Sequence, residues 1–267
     1  MDLGLRGKVA LVTGSWRGTG AGIAEMLGRE GCRVLVHGFE KGQPDEVMAR
    51  LGEAGLDAQA VHGDITTDPG ADQLVQEALE AAGHVDVLIN NYGVAEGGDW
   101  TATPTSEWVG LYQKNVLSGV RLVHALSPPM VERGWGRIVF VGTVGSLRPA
   151  ARMPHYYASK AVLPNLCVSL AKELGGSGVT VNLVSPGIIA TQEIKATLAR
   201  RAEKKGWGSD WETIEREASR ELFANPTGRI AKIEEVASLV AFVASGPASY
   251  INGANLRVDG GASDSAL

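Results

Sequence analysis

The chain has 267 residues, 44% of them hydrophobic, which is enough apolar material for one large core. Its net charge of −5 argues against a general nucleic-acid binder, which needs a basic face. No run approaches the roughly 20 apolar residues that span a bilayer, so no membrane partner is expected, and residues 1–8 lack a signal-peptide stretch.

Short apolar runs alternate with longer amphipathic ones. Strands are predicted at 9–12, 33–37, 58–62, 85–90, 137–141, 179–184 and 255–259, with a first helix over 18–30. Continuous apolar strands separated by helices imply a parallel sheet covered on both faces. The expectation is an α/β fold: one doubly wound, Rossmann-like domain over 1–267, with ligands beyond the carboxyl ends of the strands. The 35 glycines fit a fold with many tight strand-to-helix turns. Pro128, Pro129 and Pro164 fall inside helical runs and predict a bend near each. Cys32 and Cys167 have no metal-type spacing, and the five histidines are scattered, so no metal site is expected. The same cysteine usage points to a reduced, cytoplasmic setting without a disulfide.

Two local patterns carry chemistry. Tyr156 and Lys160 stand four apart at the head of a helical segment, so they share one face. A free phenol titrates near about 10, and a cation held close pulls that value down. The pair is therefore read as a proton donor and acceptor for an alcohol/carbonyl couple. Tyr157 is a competitor, but it lacks the lysine one turn on. The second pattern follows the first strand: Thr13-Gly14-Ser15-Trp16-Arg17-Gly18-Thr19-Gly20. Its glycines let backbone approach a pyrophosphate, and the helix that starts there offers unpaired N–H groups. A structural turn alone would also explain the glycines; their place between strand and helix favours the phosphate reading.

These patterns, with four others in order, resemble the short-chain dehydrogenase/reductase family along nearly the whole chain. The others are Asn90-Asn91-Tyr92-Gly93, Asn115 after Gln113-Lys114, Ser185-Pro186-Gly187 with Thr191, and the segment 251–261. The resemblance implies an NAD(P)(H)-dependent oxidoreductase moving a hydride between nicotinamide and a carbonyl or secondary alcohol. Within the family the chain is similar to 3-oxoacyl-acyl carrier protein reductases and related carbonyl reductases. Four catalytic residues follow from it: Asn115, Thr143, Tyr156 and Lys160. Thr143 stands where the family has a serine, and Ser146 is the alternative. Lys160 would also hold the nicotinamide ribose, and Asn115 would fix a water linking Lys160 to solvent.

The cofactor contacts implied are Gly14, Ser15, Arg17, Gly18, Thr19 and Gly20 in the turn, and Phe39 after the second strand. Asp64 and Ile65 would meet the adenine, unless Asp64 merely caps the next turn. Asn91, Gly93, Pro186, Gly187, Ile189 and Thr191 complete the set beside Tyr156 and Lys160. NADP(H) is the expected cofactor. Gly38 stands where NAD-preferring members carry an acid, and Arg17 matches the basic residue that meets a 2′-phosphate. Phe39 and Glu40 argue the other way and keep NAD(H) as the alternative. Tyr92, in place of the family's alanine, either closes over the cofactor or simply packs. Residues 192–226 fall where the family has its substrate lid. Arg200, Arg201, Lys204 and Lys205 there could steer an anionic substrate or an acyl carrier, though a solvated helix face with charge pairs is the preferred reading. Trp207 and Trp211 read as lid packing. A homotetramer is expected by resemblance. The rival reading is a non-catalytic dinucleotide-binding sensor of the same fold. Such proteins tend to lose the tyrosine or the lysine, as a lyase or dehalogenase on this fold loses the turn or the lysine. This chain keeps all three.

Overall fold

The computed structural model describes residues 1–263. Its strands are β1 (Val9–Val12), β2 (Arg33–Gly38), β3 (Ala58–His62), β4 (Val87–Asn90), β5 (Gly136–Val141), β6 (Val179–Pro186) and β7 (Asn255–Val258). They form one parallel sheet in the order β3-β2-β1-β4-β5-β6-β7. The order reverses between β1 and β4, where Ala10, Leu11 and Val12 pair with Val87, Leu88 and Ile89. A crevice opens beyond the carboxyl ends of strands at such a reversal.

The helices are α1 (Gly18–Arg29), α2 (Asp45–Glu53), α3 (Asp68–Ala82), α4 (Thr105–Tyr112), α5 (Ser118–Glu132), α6 (Pro154–Glu173), α7 (Gln192–Lys205), α8 (Trp211–Glu221) and α9 (Ile233–Val243). Strand side chains alternate between two cores. Ala10, Val12, Val34, Val36, Val87 and Ile89 pack with residues of α1 and α9. Leu11, Leu35, Leu88, Ile138 and Phe140 pack with residues of α3, α5 and α6 on the other face. Each such Leu, Ile or Val stabilises the sheet by about 1.5–3 kcal/mol through burial, which explains why the strands read as unbroken apolar runs. Leu198, Ala202, Ile214, Ala218 and Ile230 form a smaller core of α7 and α8, against which Trp207 and Trp211 pack as expected.

The prolines expected to bend the helices do not interrupt them. Helix α5 continues through Pro128 and Pro129 and α6 through Pro164, each proline withholding one N–H from the ladder. The irregular turn lies elsewhere: Gln113–Leu117 forms a π-helical turn joining α4 to α5, and it contains Asn115. Among the described residues no helix is long and apolar enough to cross a membrane.

Candidate active site

A cleft of about 1480 Å³ runs along the carboxyl ends of β1, β4, β5 and β6. Its floor is the turn from Gly14 to Gly20. Gly14 and Gly18 have left-handed φ of +61° and +55°, a conformation open to glycine. A Cβ on Gly20 would lie 2.4 Å from the Gly14 carbonyl oxygen, so the tight turn needs a bare backbone there. Thr67, Thr191 and Asp210 cap α3, α7 and α8, whereas no side chain caps α1. The first N–H groups of α1 are therefore free to bind an anion, and the positive end of the helix dipole favours one.

The turn is held from below. The Gly14 N–H donates to Nδ1 of His37 at 2.9 Å, and His37 Nε2 lies 2.9 Å from the Gly63 carbonyl oxygen. An acceptor at Nδ1 requires the proton on Nε2, so the ring is neutral. Burial agrees, pushing its pKa down to about 4. Asn91 Nδ2 donates to the Thr13 carbonyl oxygen at 2.8 Å, tying the end of β4 to the turn.

At one end of the cleft Phe39 meets Trp16 edge-on at 5.5 Å and Tyr92 at 4.9 Å between ring centroids. Tyr92 thus packs and lines the cleft at once, and burial pushes its pKa up to about 12. A Cβ at Gly38 would lie 2.9 Å from the Pro44 ring, which leaves no room there for an acidic side chain. Arg17 extends along the rim, with Nη1 3.3 Å from Oε1 of Glu193.

Further along, Thr143, Tyr156 and Lys160 line one wall. Lys160 is only 5% exposed and its Nζ donates to the Val141 carbonyl oxygen at 3.1 Å. Burial lowers its pKa to about 8. Tyr156 departs from the expectation. Burial raises its pKa, the Thr143 side chain pulls it down by hydrogen bonding, and Tyr157 raises it. Desolvation dominates, and Lys160 is itself buried with its ammonium turned toward the Val141 carbonyl oxygen. The spacing placed both groups in one cleft, but it gave the wrong sign for the shift.

Thr143 Oγ1 accepts from the Gly145 N–H at 3.1 Å and lies on the cleft, while Ser146 spends its hydroxyl on the Thr143 carbonyl oxygen at 2.8 Å. Of the two, Thr143 is the one that lines the cleft. Asn115 is 4% exposed and grips Val94. Its Oδ1 accepts from the Val94 N–H at 2.7 Å, and its Nδ2 donates to the Val94 carbonyl oxygen at 3.0 Å and to Ser159 Oγ at 2.9 Å. Gly93 stands between these groups: a Cβ there would lie 2.7 Å from Lys160 Nζ and 2.9 Å from Asn115 Oδ1.

Gly14, Arg17, Gly18, Thr19, Gly20, Phe39, Asn91, Gly93, Pro186, Gly187, Ile189 and Thr191 all line the cleft. Three expected contacts do not. Ser15 is fully buried, its Oγ donating to the Val12 carbonyl oxygen at 2.6 Å and accepting from the His37 N–H at 2.9 Å. Ile65 is 1% exposed and belongs to the core. Asp64 Oδ1 accepts from Thr66 N and Oγ1 at 3.0 and 2.6 Å, the turn-capping role. The sequence reading missed Trp16, Gln43, Arg148, Met153 and Glu193, all of which line the cleft. Trp16 adjoins expected contacts and Gln43 lies four residues after Phe39, so both were within reach of a wider window. Met153 has a left-handed φ of +63° and carries no local signal of its place.

A free helix terminus for phosphate, bare backbone beneath it and a phenol–lysine–hydroxyl wall fit a nicotinamide dinucleotide, and together define an NAD(P)-dependent oxidoreductase acting on a carbonyl or alcohol. Comparison with known proteins agrees. The chain belongs to the short-chain dehydrogenase/reductase family, through a family model described as enoyl-(acyl carrier protein) reductase that matches residues 14–263. It is 34% identical to an uncharacterized oxidoreductase of Bacillus subtilis over 265 residues, 98% of each chain. It is 34% identical to the 3-oxoacyl-(acyl-carrier-protein) reductase of Salmonella typhimurium over 260 residues, covering 97% of this chain and 98% of that protein. Among solved structures it is similar to L-sorbose reductase from Gluconobacter frateurii, complexed with NADPH and L-sorbose. The TM-score is 0.93 at 30% identity, covering 99% of this chain and 100% of the other.

Proposed function

We propose that the protein is an NADP(H)-dependent reductase of a ketone bearing an apolar arm, of the 3-oxoacyl class, acting as one domain over 1–267 with a lid at 192–226. The observation that carries this reading is the meeting of Thr143, Tyr156 and Lys160 on one wall above the uncapped start of α1. The reduced nicotinamide supplies the hydride. Tyr156 supplies the proton: its hydroxyl donates to the carbonyl oxygen as that oxygen gains charge, and its raised pKa keeps it protonated at neutral pH. Thr143 donates to the same oxygen and orients it. Lys160 holds the ribose and the phenol's surroundings, and Asn115 positions the 93–94 backbone that borders Lys160.

Preference for NADP(H) rests on the filled space at Gly38, on Arg17 at the rim, and on the NADPH bound by the L-sorbose reductase neighbour. The apolar arm rests on Pro149, Met153, Ile188, Ile194, Leu222 and Phe223, which line the far end of the cleft. Arg201 and Lys205 are paired with Glu221 at 2.6 and 3.1 Å. These exposed pairs accord with the solvated, charge-paired surface preferred for this segment. Buried free Cys32 and Cys167 fit a cytoplasmic setting. Exposed Val168 on α6 and fully exposed Tyr250 suit the subunit contacts of a homotetramer.

The test is NADPH oxidation with a panel of 3-oxo esters, simple ketones, sugars and quinones. Turnover on 3-oxo esters is expected, and Tyr156→Phe should lower it by at least ~10²-fold while nucleotide still binds. Near-normal turnover in that variant overturns the proton-donor role. Tight nucleotide binding with no turnover on any compound would favour the sensor.

A further inference from the structure

Arg17, the residue best placed to meet a 2′-phosphate, already has an anion. Glu193 Oε1 lies 3.3 Å from its guanidinium. The other carboxylate oxygen, Oε2, would lie 4.0 Å from a Cβ built on Gly18, the first residue of α1. The carboxylate therefore sits at the mouth of the uncapped helix that would receive the cofactor's phosphates. Glu193 belongs to the first turn of α7, which starts at the Thr191 cap. Its charge thus lies between two positive helix termini and a guanidinium. Both partners are largely in solvent, with side chains 64% and 47% exposed. Such a pair is weak enough for a stronger ligand to exchange.

We infer that Glu193 is a cofactor-specificity residue: an internal counter-anion that competes with the 2′-phosphate for Arg17 and so narrows the preference for NADP(H) over NAD(H). The inference rests on the dinucleotide reading of the cleft. A nucleotide carrying the phosphate must displace the carboxylate from Arg17 before it can use the guanidinium. A nucleotide without it can leave the pair in place. The same exchange links the cofactor to the proposed lid, because releasing Arg17 frees the first turn of α7.

The experiment is equilibrium binding of NADPH and NADH, read by quenching of tryptophan fluorescence, with Trp16 on the cleft as a nearby reporter. Four proteins are compared: wild type, Glu193→Gln, Arg17→Gln and the double variant. Glu193→Gln keeps the side-chain shape and removes the charge. It is expected to tighten NADPH by ~1.4- to 5-fold, the range for an exposed ion pair, and NADH by clearly less. In the Arg17→Gln background the same change should leave the NADPH/NADH ratio unaltered. Equal tightening of both nucleotides would show general repulsion and overturn the inference, as would an unchanged ratio in the single variant or a shifted one without Arg17. Failure of wild type to bind either nucleotide overturns the dinucleotide reading together with this inference; binding without the Arg17-dependent shift overturns this inference alone.

Discussion

Replacing Lys160 by methionine should make the protein inactive and, at neutral pH, more resistant to heat than an ordinary core substitution would suggest. The lysine is buried, and its pKa falls from an ordinary 10.5 to about 8. Keeping it charged at pH 7 therefore costs the folded state roughly 3 kcal/mol. The folded pKa lies below the unfolded one, so between pH 8 and 10.5 the unfolded chain holds more protons than the folded chain. Stability attributable to this group rises with pH across that window. At pH 10 the remaining penalty is about 1 kcal/mol. Lys160→Met also loses the bond to the Val141 carbonyl oxygen and changes the packing, but neither effect titrates. The difference in Tm between variant and wild type should therefore move by about 4–8 °C between pH 7 and pH 10, in favour of wild type at the higher pH. Thermal unfolding of both proteins at pH 7, 8, 9 and 10 measures it. A difference that stays constant over that range would refute the claim that a buried, strained charge sits in this cleft.

Gly93→Ala places a methyl carbon 2.7 Å from Lys160 Nζ. Displacing that group should lower kcat/KM by about 10²-fold with tryptophan quenching still reporting nucleotide binding; unchanged steady-state kinetics would show that the ammonium has room to retreat. Thr143→Ser retains the hydroxyl and should keep most of the activity. Thr143→Ala removes a donor to the carbonyl oxygen and should cost about 10²–10³ in kcat; parallel behaviour of the two variants would move the role to another group.

Strands and the phosphate turn were legible because each is a local pattern. Val9–Val12 is an unbroken apolar run, and Gly14, Gly18 and Gly20 follow it directly. The Tyr156/Lys160 spacing likewise placed both residues on one wall. What escaped depends on contacts between distant segments. Ile65 looked like a ring-packing residue next to Asp64, yet α3 and the strands close over it. His37 looked unremarkable in sequence, yet it joins Gly14 to Gly63. Glu193 reaches Arg17 only because α7 folds back across the turn. No window of neighbouring residues contains either pairing.

The failed sign at Tyr156 is itself informative about direction. Proximity to a cation predicted an acidic phenol, which suits proton removal from an alcohol. Burial instead raises the phenol's pKa and lowers that of Lys160 to about 8. A phenol kept protonated is a ready proton donor through the neutral range, so reduction of a carbonyl needs no prior ionisation. Oxidation of an alcohol needs the phenolate, which the same burial disfavours. Raising the pH through 8 also discharges Lys160. At neutral pH the phenol is therefore held in its proton-donor form.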